Sequence, residues 1–122
     1  MVAGEVSGDL HGALLMEAIH HIDPEVHFFG VGGERLARGG MKLLYPSQSL
    51  SVVGITEVLF KIRSILKALR GLKQSLDQER PDLAILIDFP DFNLRLAKIA
   101  HRKGIPILYY ICLLYTSDAA DE

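Results

Sequence analysis

The 122-residue sequence predicts an α/β fold, a doubly wound parallel sheet. Three observations carry that prediction. Short apolar runs alternate with longer amphipathic stretches along the chain. One run, Leu83 to Ile87, is continuously apolar, as a strand buried on both faces of a parallel sheet should be. Glycine and proline punctuate the joints, at Gly4, Asp23-Pro24, Gly32-Gly33, Gly39-Gly40 and Gly104.

The elements follow in order. Met1 to Ala3 reads as the end of a strand that breaks at Gly4. A helix is expected from near Asp9 to about Ile22, with Leu14, Leu15, Ala18, Ile19 and Ile22 on one face. Asp23-Pro24 ends it, because the residue before proline is pushed out of the helical region. His27 to Val31 is a short strand, Glu34 to Arg38 a short helix closed by Gly39-Gly40, and Lys42 to Tyr45 a third strand. A long helix follows from about Ile55 to Gln78. Leu83 to Ile87 is the fourth strand, Phe92 to Lys103 the last helix, and Ile107 to Ile111 the last strand. Gly104 and Pro106 mark the end of that last helix. The first strand is shorter than the usual length of about five or six residues. Cys112 to Glu122 has neither a helical nor a strand period, and there is no internal repeat.

Composition narrows the function. The chain is 49% hydrophobic and 23% charged, which suits one globular domain and leaves no length for a second substrate domain. A formal net charge of -2 gives no electrostatic footprint for nucleic acid. The single cysteine, Cys112, excludes an internal disulfide framework. Glu5 and Asp9 interrupt the amino-terminal stretch where a secretion signal needs an apolar run. No apolar stretch reaches the roughly 18–20 residues of a membrane span. The histidines, His11, His20, His21 and His101 among them, show no metal-ligand spacing, so no metal site is expected.

Two loops could carry chemistry. Gly4-Glu5-Val6-Ser7-Gly8-Asp9 links the first strand to the first helix, at the carboxyl ends of the strands where such sheets bind ligands. Its glycines allow close backbone approach, and the helix start offers free N–H groups to an anion. Ser7 and Asp9 are also good capping residues, so a capped turn and a binding loop are equally good readings of this loop alone. The spacing matches neither the dinucleotide fingerprint nor the P-loop. Asp88-Phe89-Pro90-Asp91-Phe92-Asn93 follows the fourth strand. With strand order 3-2-1-4-5, Asp88 faces the first loop across one crevice, where a carboxylate could act as general base. Asp91 or Asn93 could cap the helix that follows, and since a helix needs only one cap, Asp88 is read as functional.

The helix from Ile55 to Lys73 carries Ile55, Val58, Leu59, Ile62, Ile65, Leu66, Leu69 and Leu72 at three- and four-residue spacing. Lys61, Arg63, Lys67, Arg70 and Lys73 stand against one acid, Glu57. Such a helix usually packs on a core, yet it can also lie on an anionic membrane surface.

Several segments, in order along the chain, together resemble the lipid-A-disaccharide synthase family. Ala3 to Asp9 resembles its opening A-G-E-x-S-G-D, and Phe29-Gly30-Val31-Gly32-Gly33 its second-strand motif. Val53-Gly54-Ile55-Thr56-Glu57-Val58-Leu59 is similar to its M/V-G-x-x-E-V-L helix start, and Asp88 to Asn93 to its D-x-P-D-F-N. Tyr109-Tyr110-Ile111 resembles the strand that follows. The resemblance implies that residues 1–111 are the Rossmann-like N-terminal domain, incomplete, of a two-domain GT-B glycosyltransferase. It implies transfer of 2,3-diacylglucosamine from UDP-2,3-diacylglucosamine to 2,3-diacylglucosamine 1-phosphate, with no metal or cofactor, at the inner face of the cytoplasmic membrane. Asp88 would be the catalytic base. Gly4, Glu5, Ser7, Gly8, Asp9, Asp91 and Asn93 would bind substrate, and Val58, Leu59, Ile62 and Leu66 would meet acyl chains or membrane. The family's Ser-Pro-x-x-Trp-Ala-Trp continuation is replaced here by Cys112 to Glu122, a tail unrelated to the family, and the chain has no tryptophan. Without the C-terminal domain, which holds most UDP contacts in this fold type, the 122-residue chain is expected to be inactive alone. The alternatives are another UDP-sugar enzyme of the GT-B or epimerase fold, and a non-catalytic nucleotide-binding module.

Overall fold

A computed structural model describes residues 1–47 and 55–111, with side chains described from residue 62 onward in the second stretch. The expected tail, Cys112 to Glu122, and the side chains of Val58 and Leu59 lie outside the described residues.

The elements run β1 (Val2–Ala3), α1 (Val6–Ile22), β2 (Phe29–Gly32), α2 (Glu34–Arg38), β3 (Lys42–Pro46), α3 (Ile55–Glu79), β4 (Ala84–Ile87), α4 (Pro90–Arg102) and β5 (Ile107–Tyr110). The five strands form one sheet in the order β3-β2-β1-β4-β5, every pair parallel. This is the expected doubly wound arrangement, with β1 and β4 side by side at its centre.

Alternation along the strands builds two cores. Val2, Val31 and Leu86 point to one face and are covered by Leu69, Leu72 and Leu76 of α3 and Phe92 and Leu96 of α4. Ala3, Ile85 and Ile87 point to the other and meet Met16 of α1, Leu36 of α2 and Met41. Both faces of the central strands are therefore dry, which explains the unbroken apolar run in β4.

Gly30 is a required glycine. Its φ of 145° lies where side chains rarely go, and a Cβ there would strike the Met1 carbonyl. That carbonyl accepts the Val31 N–H at 3.1 Å, so the tight approach is part of the β1–β2 ladder.

Two helix starts differ from the sequence expectation. α1 begins at Val6 rather than near Asp9, with Asp9 N–H closing the first turn on the Glu5 carbonyl at 2.9 Å. α4 begins at Pro90 rather than Phe92. Proline suits that position, because its missing N–H would have had no intrahelical partner. Strand ends differ by one or two residues: β2 starts at Phe29 and not His27, and β4 at Ala84 and not Leu83.

Candidate active site at the carboxyl ends of β1 and β4

The structure brings the two predicted loops together at the carboxyl ends of β1 and β4. β1 leads into α1 on one face of the sheet, and β4 leads into α4 on the other. The chain therefore parts at β1/β4, the switch point where open α/β sheets bind ligands. The two loops touch there. A Cβ on Gly4 would lie 2.5–2.8 Å from ring atoms of Phe89, so only glycine lets this ring cover the β1–α1 loop. Gly8 packs the first turn of α1 onto the strands, its notional Cβ 3.4 Å from Ala3 and Ile87. Glu5 and Asp91 are exposed at the rim, and Ser7 and Asp88 are half-buried. Neither α1 nor α4 has a side-chain cap; Glu5 and Phe89 hold the cap positions without such bonds. Two helix N-termini, each with the positive end of its dipole, thus follow the adjacent strands β1 and β4.

The β4–α4 loop is unusual in backbone. Asp88 and Phe89 are both left-handed, with φ of 44° and 50°, and neither is glycine. Such residues cost roughly 1–3 kcal/mol each and persist only where surroundings over-determine them. Here the restraints are visible. The Asp88 N–H donates to the Tyr110 carbonyl at 2.9 Å. The Asp88 carbonyl accepts from Asn93 Nδ2 at 2.8 Å and from the Tyr109 hydroxyl at 2.9 Å. Burial, and then the Asp88 carboxylate, push the Tyr109 hydroxyl above the ordinary tyrosine value of 10.0. It therefore remains a donor through the neutral range.

Two expected substrate residues make structural hydrogen bonds. Asp9 is only 6% exposed. Its Oδ1 accepts the backbone N–H groups of Gly33 (2.8 Å) and Leu36 (3.1 Å), and its Oδ2 that of Arg35 (3.0 Å). It neither caps its own helix nor faces the crevice freely; it holds the N-terminus of α2, whose cap residue Gly33 offers no side chain. Asn93 is 0% exposed and caps nothing. Its Nδ2 reaches the carbonyls of Asp88 and Ile87, the latter at 3.2 Å, and ties α4 to the end of β4. Neither the capping role expected for Asp91 nor that for Asn93 is realised, because the helix starts before both. Phe89 and Tyr109 were given no site role by sequence reasoning. The signal was available: Tyr109 lies near the carboxyl end of β5, the neighbour of β4 in the expected strand order.

On α3, Ile65 and Leu69 pack against the core while Ile62 and Leu66 stand 48% and 42% exposed. Arg63, Lys67, Arg70 and Lys73 are exposed beside them. No helix among the described residues is long and apolar enough to cross a membrane. A cavity of about 680 Å³ lies at the other end of the sheet, against Met1, Phe29, Leu83, Leu76 and Leu96. It exposes the underside of the core at the amino ends of the strands. Ligands of open α/β sheets enter at the carboxyl ends, so the loops around Gly4 and Asp88 are the better candidate.

Residues 1–113 match the family model described as lipid-A-disaccharide synthetase. The chain belongs to this family. Proteins named lipid-A-disaccharide synthase from Myxococcus xanthus, Syntrophus aciditrophicus and Geobacter sulfurreducens are each 50% identical to it over 111 residues. Those alignments take in 91% of this chain and 29% of each relative, so the chain spans less than a third of the synthases it resembles. Both crevice loops fall inside the matched segment of the synthetase family.

Proposed function

We propose that residues 1–111 form the N-terminal domain of a lipid-A-disaccharide synthase and supply its catalytic base. The observation that carries this reading is the meeting of the two family loops, Gly4 to Asp9 and Asp88 to Asn93, at the switch point of the sheet. In the proposed reaction an acceptor hydroxyl of 2,3-diacylglucosamine 1-phosphate attacks the anomeric carbon of UDP-2,3-diacylglucosamine. A new C–O bond forms, the bond to UDP breaks, and Asp88 takes the hydroxyl proton. Gly4, Glu5, Ser7, Gly8 and Asp91 line the acceptor side. The two helix starts favour a phosphorylated ligand, since neither carries a side-chain cap and each presents a positive dipole end. Asp9 and Asn93 support the site from beneath.

Both substrates carry acyl chains, which gives the exposed Ile62 and Leu66 and their basic neighbours a purpose. In this reading α3 rests on the inner face of the cytoplasmic membrane, with Arg63 and Lys67 on anionic headgroups. The full-length protein, given both substrates, should release UDP together with a tetraacyl disaccharide 1-phosphate detectable by mass spectrometry. The 122-residue chain alone should release none, because the donor half is expected elsewhere in the enzyme. UDP release without the disaccharide would favour a different UDP-sugar enzyme on the same fold.

A further inference from the structure

We propose that Tyr109 and Asn93 are positioning residues for Asp88, holding its left-handed backbone so that the carboxylate keeps its place at the crevice. The inference rests on the reading of Asp88 as base, and goes on to say what fixes that base. Three bonds converge on the backbone of this one residue. Its N–H is tied to the Tyr110 carbonyl at 2.9 Å, and its carbonyl takes two donors, Asn93 Nδ2 at 2.8 Å and the Tyr109 hydroxyl at 2.9 Å. The partners come from different elements, β5 and α4, so the turn is braced from two sides.

The bracing has something to oppose. Asp88 and Phe89, at φ 44° and 50°, occupy a region that side-chain-bearing residues leave when nothing holds them. Loss of a restraint on the Asp88 carbonyl lets the peptide after it rotate, and the side chain moves with the backbone. A base displaced by about 1 Å can lose on the order of a hundredfold in rate.

The packing alone does not call for these side chains. Tyr109 pairs with Leu86 across the β4–β5 ladder, and phenylalanine would cover the same apolar neighbours. The hydroxyl adds the bond to Asp88. Asn93 lies fully buried on a helix face otherwise made of Phe92, Leu96 and Ala100. A buried amide in such a place is retained at the expense of desolvation, and its Nδ2 goes to the strand end and the turn.

The test is a double-mutant cycle in the full-length protein. Tyr109→Phe should lower kcat by about tenfold or more while KM stays within about twofold, because the contact acts on the base and not on substrate. Asn93→Ala should act in the same direction; should that buried change prevent folding, Tyr109→Phe decides alone. In an Asp88→Ala background, adding Tyr109→Phe should change the residual rate no further, since its effect runs through Asp88. Wild-type kcat in Tyr109→Phe, or an equal fall in both backgrounds, overturns the inference and leaves the base assignment standing. Full turnover in Asp88→Ala overturns the base assignment itself, and this inference with it.

Discussion

Removing the Asp9 carboxylate should unfasten α2 from α1. The magnitude follows from its three acceptor bonds, to the N–H groups of Gly33, Arg35 and Leu36 at 2.8, 3.0 and 3.1 Å. Leu36 N–H is buried with its bond, so Asp9→Ala leaves a dry, unpaired donor worth about 1–3 kcal/mol. The bonds to Gly33 and Arg35 are part-buried, and water can replace them in part, at about 0.5–1 kcal/mol each. The total is about 3 kcal/mol, above the usual loss of about 1 kcal/mol for a helix cap, because one carboxylate serves three donors. For a chain of this size that lowers the melting temperature by about 10 °C. Asp9→Asn keeps one acceptor oxygen but gives up the charge and turns an amide donor toward backbone donors, so it should lose about half as much. Urea titration with linear extrapolation measures both variants, and amide exchange at Leu36 reports the local opening. A loss below about 1 kcal/mol for Asp9→Ala, or unchanged protection at Leu36, would refute the assignment of Asp9 to the fold.

Three further outcomes are expected. Gly4→Ala should destabilise by about 1–3 kcal/mol, since its Cβ meets the Phe89 ring at 2.5 Å; a thermal melt indistinguishable from wild type would show that the ring can leave without loss. Tyr109 holds its proton more tightly when folded than unfolded, so its share of stability is complete below about pH 10 and is lost as pH rises through the folded pKa. Urea midpoints taken across that range should fall less steeply in Tyr109→Phe than in wild type, and equal slopes would speak against the shift. Ile62→Ser with Leu66→Ser should weaken retention of the full-length protein on vesicles of anionic lipid, and so should Arg63→Gln with Lys67→Gln; co-sedimentation unchanged in both would return α3 to a packing role only.

The fold was legible because its signals are local and redundant. The apolar run ending at Ile87, the glycine after Ala3 and the amphipathic stretch of α3 each report one element, and a parallel order follows from their alternation. The meeting of the two crevice loops was legible for the same reason, since the strand order alone brings β1 beside β4. Asp9 was harder. Its sequence context reads as a helix cap, and only the packing of α1 on α2 shows that it caps a helix 24 residues further on. The α4 start was missed because the sequence signal of aspartate and asparagine outweighed that of Pro90, while the backbone used proline at N1 and a left-handed Phe89 before it. Left-handed conformations at Asp88 and Phe89 have no sequence mark at all. At Asp88 hydrogen bonds to Tyr109, Tyr110 and Asn93 hold the conformation, and no local propensity encodes those partners.

Among the described side chains of α3, the apolar series read from the spacing divides in two. Ile65, Leu69 and Leu72 face the core, whereas Ile62 and Leu66 belong to the same three- and four-residue series and stand at its exposed edge. A stripe wider than its core contact is the feature that keeps the membrane proposal alive.

The central claim is that Asp88, delivered to the switch point by β4, is the base of a disaccharide-forming transferase. The most direct measurement is single-turnover transfer by the full-length protein and its Asp88→Asn variant, alongside binding of 2,3-diacylglucosamine 1-phosphate to each. The account predicts that the variant binds this acceptor with near wild-type affinity and forms disaccharide at least about a hundredfold more slowly. Disaccharide formation at the wild-type rate by Asp88→Asn would contradict it.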